Sequence, residues 1–99
     1  MNFVIRIEPE AVQDIQLAID WYDLQQRGLG EKFYNYLDSV LGSLAINPYY
    51  QIRYSNIRCL PLQKYPFMIH YSIDESKAIV IIRAIFNTSL DPAKWEKRD

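Results

Sequence analysis

Ile79-Val80-Ile81-Ile82-Arg83-Ala84-Ile85-Phe86-Asn87 is the most apolar and most β-branched stretch of this 99-residue chain. β-branched side chains are stiff at χ1 and fit a pleated surface, so the stretch reads as a strand. Its single charge argues for a place inside a sheet rather than at a solvated edge. Side chains alternate across a strand. Val80, Ile82, Ala84 and Phe86 are expected on one face, and Ile79, Ile81, Arg83, Ile85 and Asn87 on the other. Both faces are mostly apolar, which predicts cover on both sides. The second face also holds a guanidinium, and the functional reading starts there.

Two more strands precede it. Residues 65–73 place Phe67, Ile69, Tyr71 and Ile73 on one face, with Met68, His70 and Ser72 on the other. Asp74-Glu75-Ser76-Lys77 makes the turn into Ile79. Residues 57–62 contain Pro61, which predicts a strand at a sheet edge. Residues 49–56 are polar and aromatic and read as a loop. Further back, Ala11, Ile15, Ala18, Ile19 and Tyr22 recur at helical spacing over residues 10–26, and Phe33, Leu37, Leu41 and Leu44 over residues 31–45. Gly28-Leu29-Gly30 joins the two as a helical hairpin. Residues 2–7 alternate as a short first strand. Asp91-Pro92 opens a short last helix with Lys94, Lys97 and Arg98 in its final turn.

The expected order is β-α-α-β-β-β and a short α. This is an α+β fold in two layers, a helical hairpin on one face of a mainly antiparallel sheet. Phe67, Ile69, Tyr71, Val80, Ile82 and Phe86 would form the core. Met68, His70, Ile79, Ile81, Arg83 and Ile85 would face away from the helices. An apolar patch of that size on a monomer marks a partner site.

Composition narrows the class. The length suits one domain, and an apolar fraction of 49% supports a real core. The single Cys59 rules out an internal disulfide and suits a reducing compartment. The longest apolar run, residues 78–82, is far below the about 20 residues of a membrane span. No signal-peptide pattern opens the chain, so a cytoplasmic protein is expected. Net charge is −1, which argues against a strong nucleic-acid binder. The charge is unevenly spread, with acids dominating the first fifty residues and bases the rest. The second half could therefore meet an anionic partner. No metal or cofactor is expected.

Ala18-Ile19-Asp20-Trp21-Tyr22, Gly28-Leu29-Gly30, Phe33, Pro48, Arg58, Tyr65-Pro66-Phe67 with Tyr71, and the apolar strand through Phe86 follow one another in a characteristic order. Asp91-Pro92 with Trp95 and Arg98 closes the series. In this order the chain resembles the RelE/ParE superfamily of toxins from type II toxin–antitoxin modules, over nearly its whole length. The resemblance implies a compact toxin held inactive by a cognate antitoxin in a hetero-oligomer, with the first strand beside the last. It also implies one of two targets, the ribosome with its mRNA for RelE-like nucleases or DNA gyrase for ParE-like binders.

The basic set of the nucleases is incomplete here. Met68 stands where RelE-like members carry an arginine. Asn87-Thr88-Ser89-Leu90 lacks the His and Arg common after the last strand, and the C-terminal Tyr has no match beyond Trp95. Arg83, His70 and Arg58 remain as catalytic candidates, with Lys64 nearby in sequence. An arginine can grip phosphate bidentately and a histidine can move protons near neutral pH. Each also has a structural reading. His70 suits a buried histidine with a satisfied hydrogen bond, Arg83 a pair with Asp74 or Asp91, and Cys59 a small buried thiol. Met68, Ile79, Ile81, Ile85, Asn87, Lys94, Trp95 and Arg98 are the expected contacts to antitoxin or target. Three functions stay open: a ParE-like binder, a RelE-like ribosome-dependent mRNA endoribonuclease, and a weakened toxin that only binds its antitoxin.

Overall fold

The computed structural model describes residues 2–89. Strand β1 (Val4–Ile7) leads into helix α1 (Pro9–Gln25) and helix α2 (Leu29–Ile46). Strands β2 (Ile52–Tyr54), β3 (Ile57–Pro61), β4 (Phe67–Asp74) and β5 (Ile79–Asn87) follow. The five strands form one sheet in the order β1-β5-β4-β3-β2. β1 runs parallel to β5, and the other pairs are antiparallel. The first strand thus lies beside the last, and β5 is interior along its first half, as its apolar character requires. The short last helix expected from Asp91-Pro92, with Lys94, Trp95 and Arg98, lies outside the described residues.

α1 and α2 pack as a hairpin on one face of the sheet. Ala11, Ile15, Ala18 and Tyr22 of α1 and Phe33, Leu37, Leu41 and Leu44 of α2 are buried there with Ile69, Tyr71, Val80 and Ile82. Pro9 opens α1, where a missing N–H costs nothing. Gly28 turns the chain between the helices with φ of +89°, a left-handed conformation that glycine adopts without strain. α2 has no capping side chain of its own at Gly28. Asp23, from the end of α1, supplies one instead and accepts a 2.8 Å hydrogen bond from the Gly30 N–H.

Three local expectations are corrected. First, residues 52–54 are a strand rather than loop. β2 therefore takes the sheet edge, and β3 is paired on both sides. Pro61 is tolerated because β2 pairs only as far as Arg58, so no ladder bond is lost at Pro61.

Second, β5 carries a bulge. Tyr71 pairs with Ile82 and His70 with Ala84, so Arg83 is the extra residue. The bulge turns Arg83 and Ala84 to the same side and shifts the alternation beyond them. Ile85 consequently faces the helices, 3% exposed, and belongs to the core. Phe86 faces away from them, with its ring 5.0 Å from that of His70. The two residues exchange the places expected from strict alternation.

Third, the face away from the helices is not an open apolar patch. Ile57, Cys59, His70, Ile81, Ala84 and Phe86 are all buried on it.

Candidate functional site

The outer face of the sheet holds a cavity of about 500 Å³ towards the β2 end. Arg58 of β3 and Arg83 of β5 line it, together with Ser72, Ile81, Asp74 and Glu75. Arg58 pairs with the core residue Tyr71, so its side chain leaves β3 on the helix face, whereas Arg83 extends on the outer face. Each is held from behind. The Arg83 Nε donates to Ser72 Oγ at 3.0 Å, and Ser72 is itself buried. Arg58 donates to the Tyr50 carbonyl and lies over the Tyr49 ring, 5.4 Å from its centroid. Arg83 makes no ion pair with Asp74 and donates to a neutral hydroxyl instead.

The opposite wall is acidic. Ser76 Oγ and the Lys77 N–H donate to Asp74 Oδ1, and these bonds hold its carboxyl below the usual range. The cavity thus presents one fixed cation, Arg83, against carboxylates, while Arg58 borders it from β3 with its guanidinium turned to Tyr49 and Tyr50. Arginine stays protonated at any physiological pH, so it binds and orients anions but exchanges no protons. The site can dock a partner that carries both charge signs.

His70 is not part of this cavity. It points to the same face but is fully buried between β3, β5 and Tyr54. Its Nδ1 is hydrogen-bonded to the Tyr54 hydroxyl at 3.1 Å and lies 3.4 Å from Cys59 Sγ. Burial pushes the Cys59 thiol up to about 11, so it is neutral and unreactive at pH 7. His70 and Cys59 are thus enclosed side chains that do not reach this cavity. Among the described residues, no group of three His, Cys, Asp or Glu side chains is arranged to hold a metal.

The other expected contacts are dispersed. Met68 and Ile79 are half-buried at opposite ends of the sheet, and Ile81 lines the arginine cavity. Ile85 is turned to the helix side by the bulge, which removes it from the outer face of the sheet. Asn87 is exposed and its Oδ1 caps the Ser89 N–H at 2.9 Å. Lys94, Trp95 and Arg98 lie outside the described residues. Sequence reasoning missed Tyr49, Tyr50 and Ser72 as supports. Ser72 was signalled by alternation, which sets it on the face of Arg83. The two tyrosines gave no signal, because their role depends on the path of the chain into β2.

Burial at this site has a pH consequence. Tyr71 donates to the Pro48 carbonyl at 2.7 Å, and burial raises its phenol to about 12. In the unfolded chain the Cys59 thiol and Tyr71 phenol ionise near their ordinary values, while the folded protein keeps both neutral longer. Their contribution to stability is complete below pH 9 and is lost as pH rises through 12. Each group represents about 2 kcal/mol over that window. Urea unfolding at pH 8 and at pH 11 should show this loss, and Tyr71→Phe should flatten the profile. A stability independent of pH across that range would contradict the burial of both groups.

No curated protein matches the sequence at a significant level. Solved structures do match the fold. A chain from the chromosomal ParDE toxin–antitoxin system of Pseudomonas aeruginosa superposes with a TM-score of 0.75 at 16% identity, over 86% of this chain and 95% of that one. A double-arginine variant of the Escherichia coli RelE toxin in the free state gives 0.70 at 11% identity, over 99% and 95%. A RelBE toxin–antitoxin complex from Mycobacterium tuberculosis gives 0.62 at 13%, over 88% and 99%. These likenesses establish the α+β architecture. The family itself follows from the sequence, because the family described as ParE toxin of type II toxin–antitoxin system, parDE, matches residues 5–92. The chain belongs to the ParE toxin family of type II toxin–antitoxin systems.

Proposed function

We propose that this toxin arrests growth by binding its cellular target, DNA gyrase in the ParE manner, with no chemistry of its own. A cognate antitoxin neutralises it in a cytoplasmic hetero-oligomer. The observation that carries this reading is the burial of His70. A nuclease needs groups that give and take protons at the scissile phosphate. His70 is enclosed by Tyr54, Cys59 and Phe86, and the cavity beside it offers the Arg83 guanidinium, which stays charged. Asp74 and Glu75 in the same cavity repel a phosphate backbone but suit a protein surface of mixed charge. Ile81 lines that cavity, and half-buried Met68 and Ile79 remain available as flanking contacts.

The test is induction without antitoxin, followed by mapping of mRNA 5′ ends and a gyrase supercoiling assay on the purified protein. Growth arrest with intact mRNA and inhibited supercoiling is expected. Arg83→Ala should weaken that inhibition at least about tenfold, as loss of an anchoring cation implies. New cuts within translated codons would replace this reading with a RelE-like ribosome-dependent endoribonuclease. Absence of growth arrest would leave a weakened toxin that only binds its antitoxin.

A further inference from the structure

The sheet ends at β2 in an open edge. β3 pairs with one side of β2, and among the described residues no strand pairs with the other. Such an edge is a template for another extended chain unless something blocks it. Arg53 is the only charge on β2. It repels a strand that sets a like charge opposite and attracts one that sets a carboxylate there. The side chains along the edge have the composition of an interface. Tyr49, Tyr50 and Ile52 are 53%, 43% and 48% exposed. Tyr49 stands edge-on to Phe3 at 5.9 Å and carries Arg58 over its ring, and Arg58 donates to the Tyr50 carbonyl. The Pro48 carbonyl accepts from the buried Tyr71. The run from α2 into β2 is thus fixed from β3, from β4 and from the residue before β1. Tyr and Arg held in this way lose little freedom on binding, which is why they dominate protein interfaces.

Charge identifies the occupant. No Asp or Glu occurs between Asp38 and Asp74, while Arg53, Arg58 and Lys64 do. Among the described residues neither Arg53 nor Arg58 forms an ion pair. Asp74 and Glu75 stand two strands away, at the end of β4. A second copy paired antiparallel through β2 would set Arg53 against Arg53, which is unfavourable. A nucleic-acid strand has the right charge but no ladder of N–H and C=O groups to match an edge. We propose that β2 accepts an added strand from another protein, an extended segment with Asp or Glu opposite Arg53 and apolar side chains towards Tyr50 and Ile52. β2 is short, so those side chains supply most of the affinity. This goes beyond the target reading, which rests on Arg83. β5 lies three strands from the edge, about 14 Å at the usual strand spacing. Ile52 and Arg58 also border the Arg83 cavity, whereas Arg53 does not.

The test titrates the full chain against a fluorescently labelled peptide of about eight residues in which Glu and Val alternate, read by anisotropy. A second peptide carries Lys for Glu, and a third carries N-methyl groups on alternate amides, which removes one edge of its ladder. The acidic peptide is expected to bind, and the Lys peptide at least about tenfold more weakly. The methylated peptide should also lose at least about tenfold, because it cannot pair with β2. Arg53→Glu should weaken the acidic peptide about 30-fold. Arg53 is exposed, so the melting temperature should hold. Arg83→Ala should leave the titration unchanged, which separates failure here from failure of the target reading. No binding, equal binding of the acidic and Lys peptides, or equal binding of the plain and methylated ones overturns the proposal. So does a single-stranded oligonucleotide that binds more tightly than the acidic peptide, or a concentration-dependent dimer that Arg53→Glu alters, since the edge then has another occupant.

Discussion

Gly30→Ala is expected to lower stability by about 3 kcal/mol, a fall of about 15 °C in melting temperature for a domain of this size. Gly30 lies in the first turn of α2 where it meets α1. A Cβ built there would lie 2.5 Å from the Ile19 carbonyl oxygen and 2.8 Å from both Asp23 Oδ1 and Ile19 Cγ2. The first of these is backbone and cannot rotate aside, so the two helices must separate. Asp23 is also the acceptor for the Gly30 N–H, so the same substitution disturbs the borrowed cap of α2. Alanine's better helix propensity returns less than about 1 kcal/mol of this. Gly42→Ala is the matched control. It lies inside α2 with nothing within 4 Å of a new Cβ. It should raise stability by about 0.5–1 kcal/mol. Thermal unfolding of both variants decides the matter. If Gly30→Ala melts at or above the unsubstituted protein, the close helix approach is wrong.

Phe33→Ala is expected to cost about 4 kcal/mol, a large share of the 5–15 kcal/mol that holds a typical domain together. Phe33 is fully buried where both helices meet β4. Its ring centroid lies 5.3 Å from Tyr22, 5.1 Å from Tyr65 and 5.5 Å from Phe67. Removal opens a cavity among three rings held by α1 and by the run into β4, so partial collapse cannot close it. Phe33→Leu keeps most of the volume and should cost less than about 1.5 kcal/mol. Urea unfolding with near-ultraviolet circular dichroism checks both, because the aromatic signal should fall with Phe33→Ala. Equal losses for the two variants would show that the site requires the ring itself rather than the volume it fills.

The same comparison of residues with their places shows what could be read from the chain. Helical spacing of Ala11, Ile15, Ala18 and Tyr22 identified the buried face of α1, because periodicity is local and burial enforces it. Gly28-Leu29-Gly30 announced the hairpin for the same reason. β5 was identifiable as the apolar centre of the sheet, and the face of Arg83 was correctly read. The family was legible too, in the order of short motifs that no single segment carries.

Other features needed the folded chain. Alternation fails beyond Arg83 because a bulge depends on the register with β4, and register is a property of two strands. That one extra residue exchanges Ile85 with Phe86 and removes Ile85 from the outer face of the sheet. β2 was missed because three residues with exposed side chains have no pattern of their own and become a strand only by pairing with β3. His70 and Arg83 looked equivalent in sequence, two polar groups on one face. Burial separates them, since His70 is enclosed by its neighbours while Arg83 opens to a cavity on the outer face. The sequence by itself determined the two helices, the other four strands, the layers and the family, because those follow from local periodicity and residue chemistry. Only the tertiary structure decided which polar groups meet solvent, because exposure is set by what the rest of the chain packs against them.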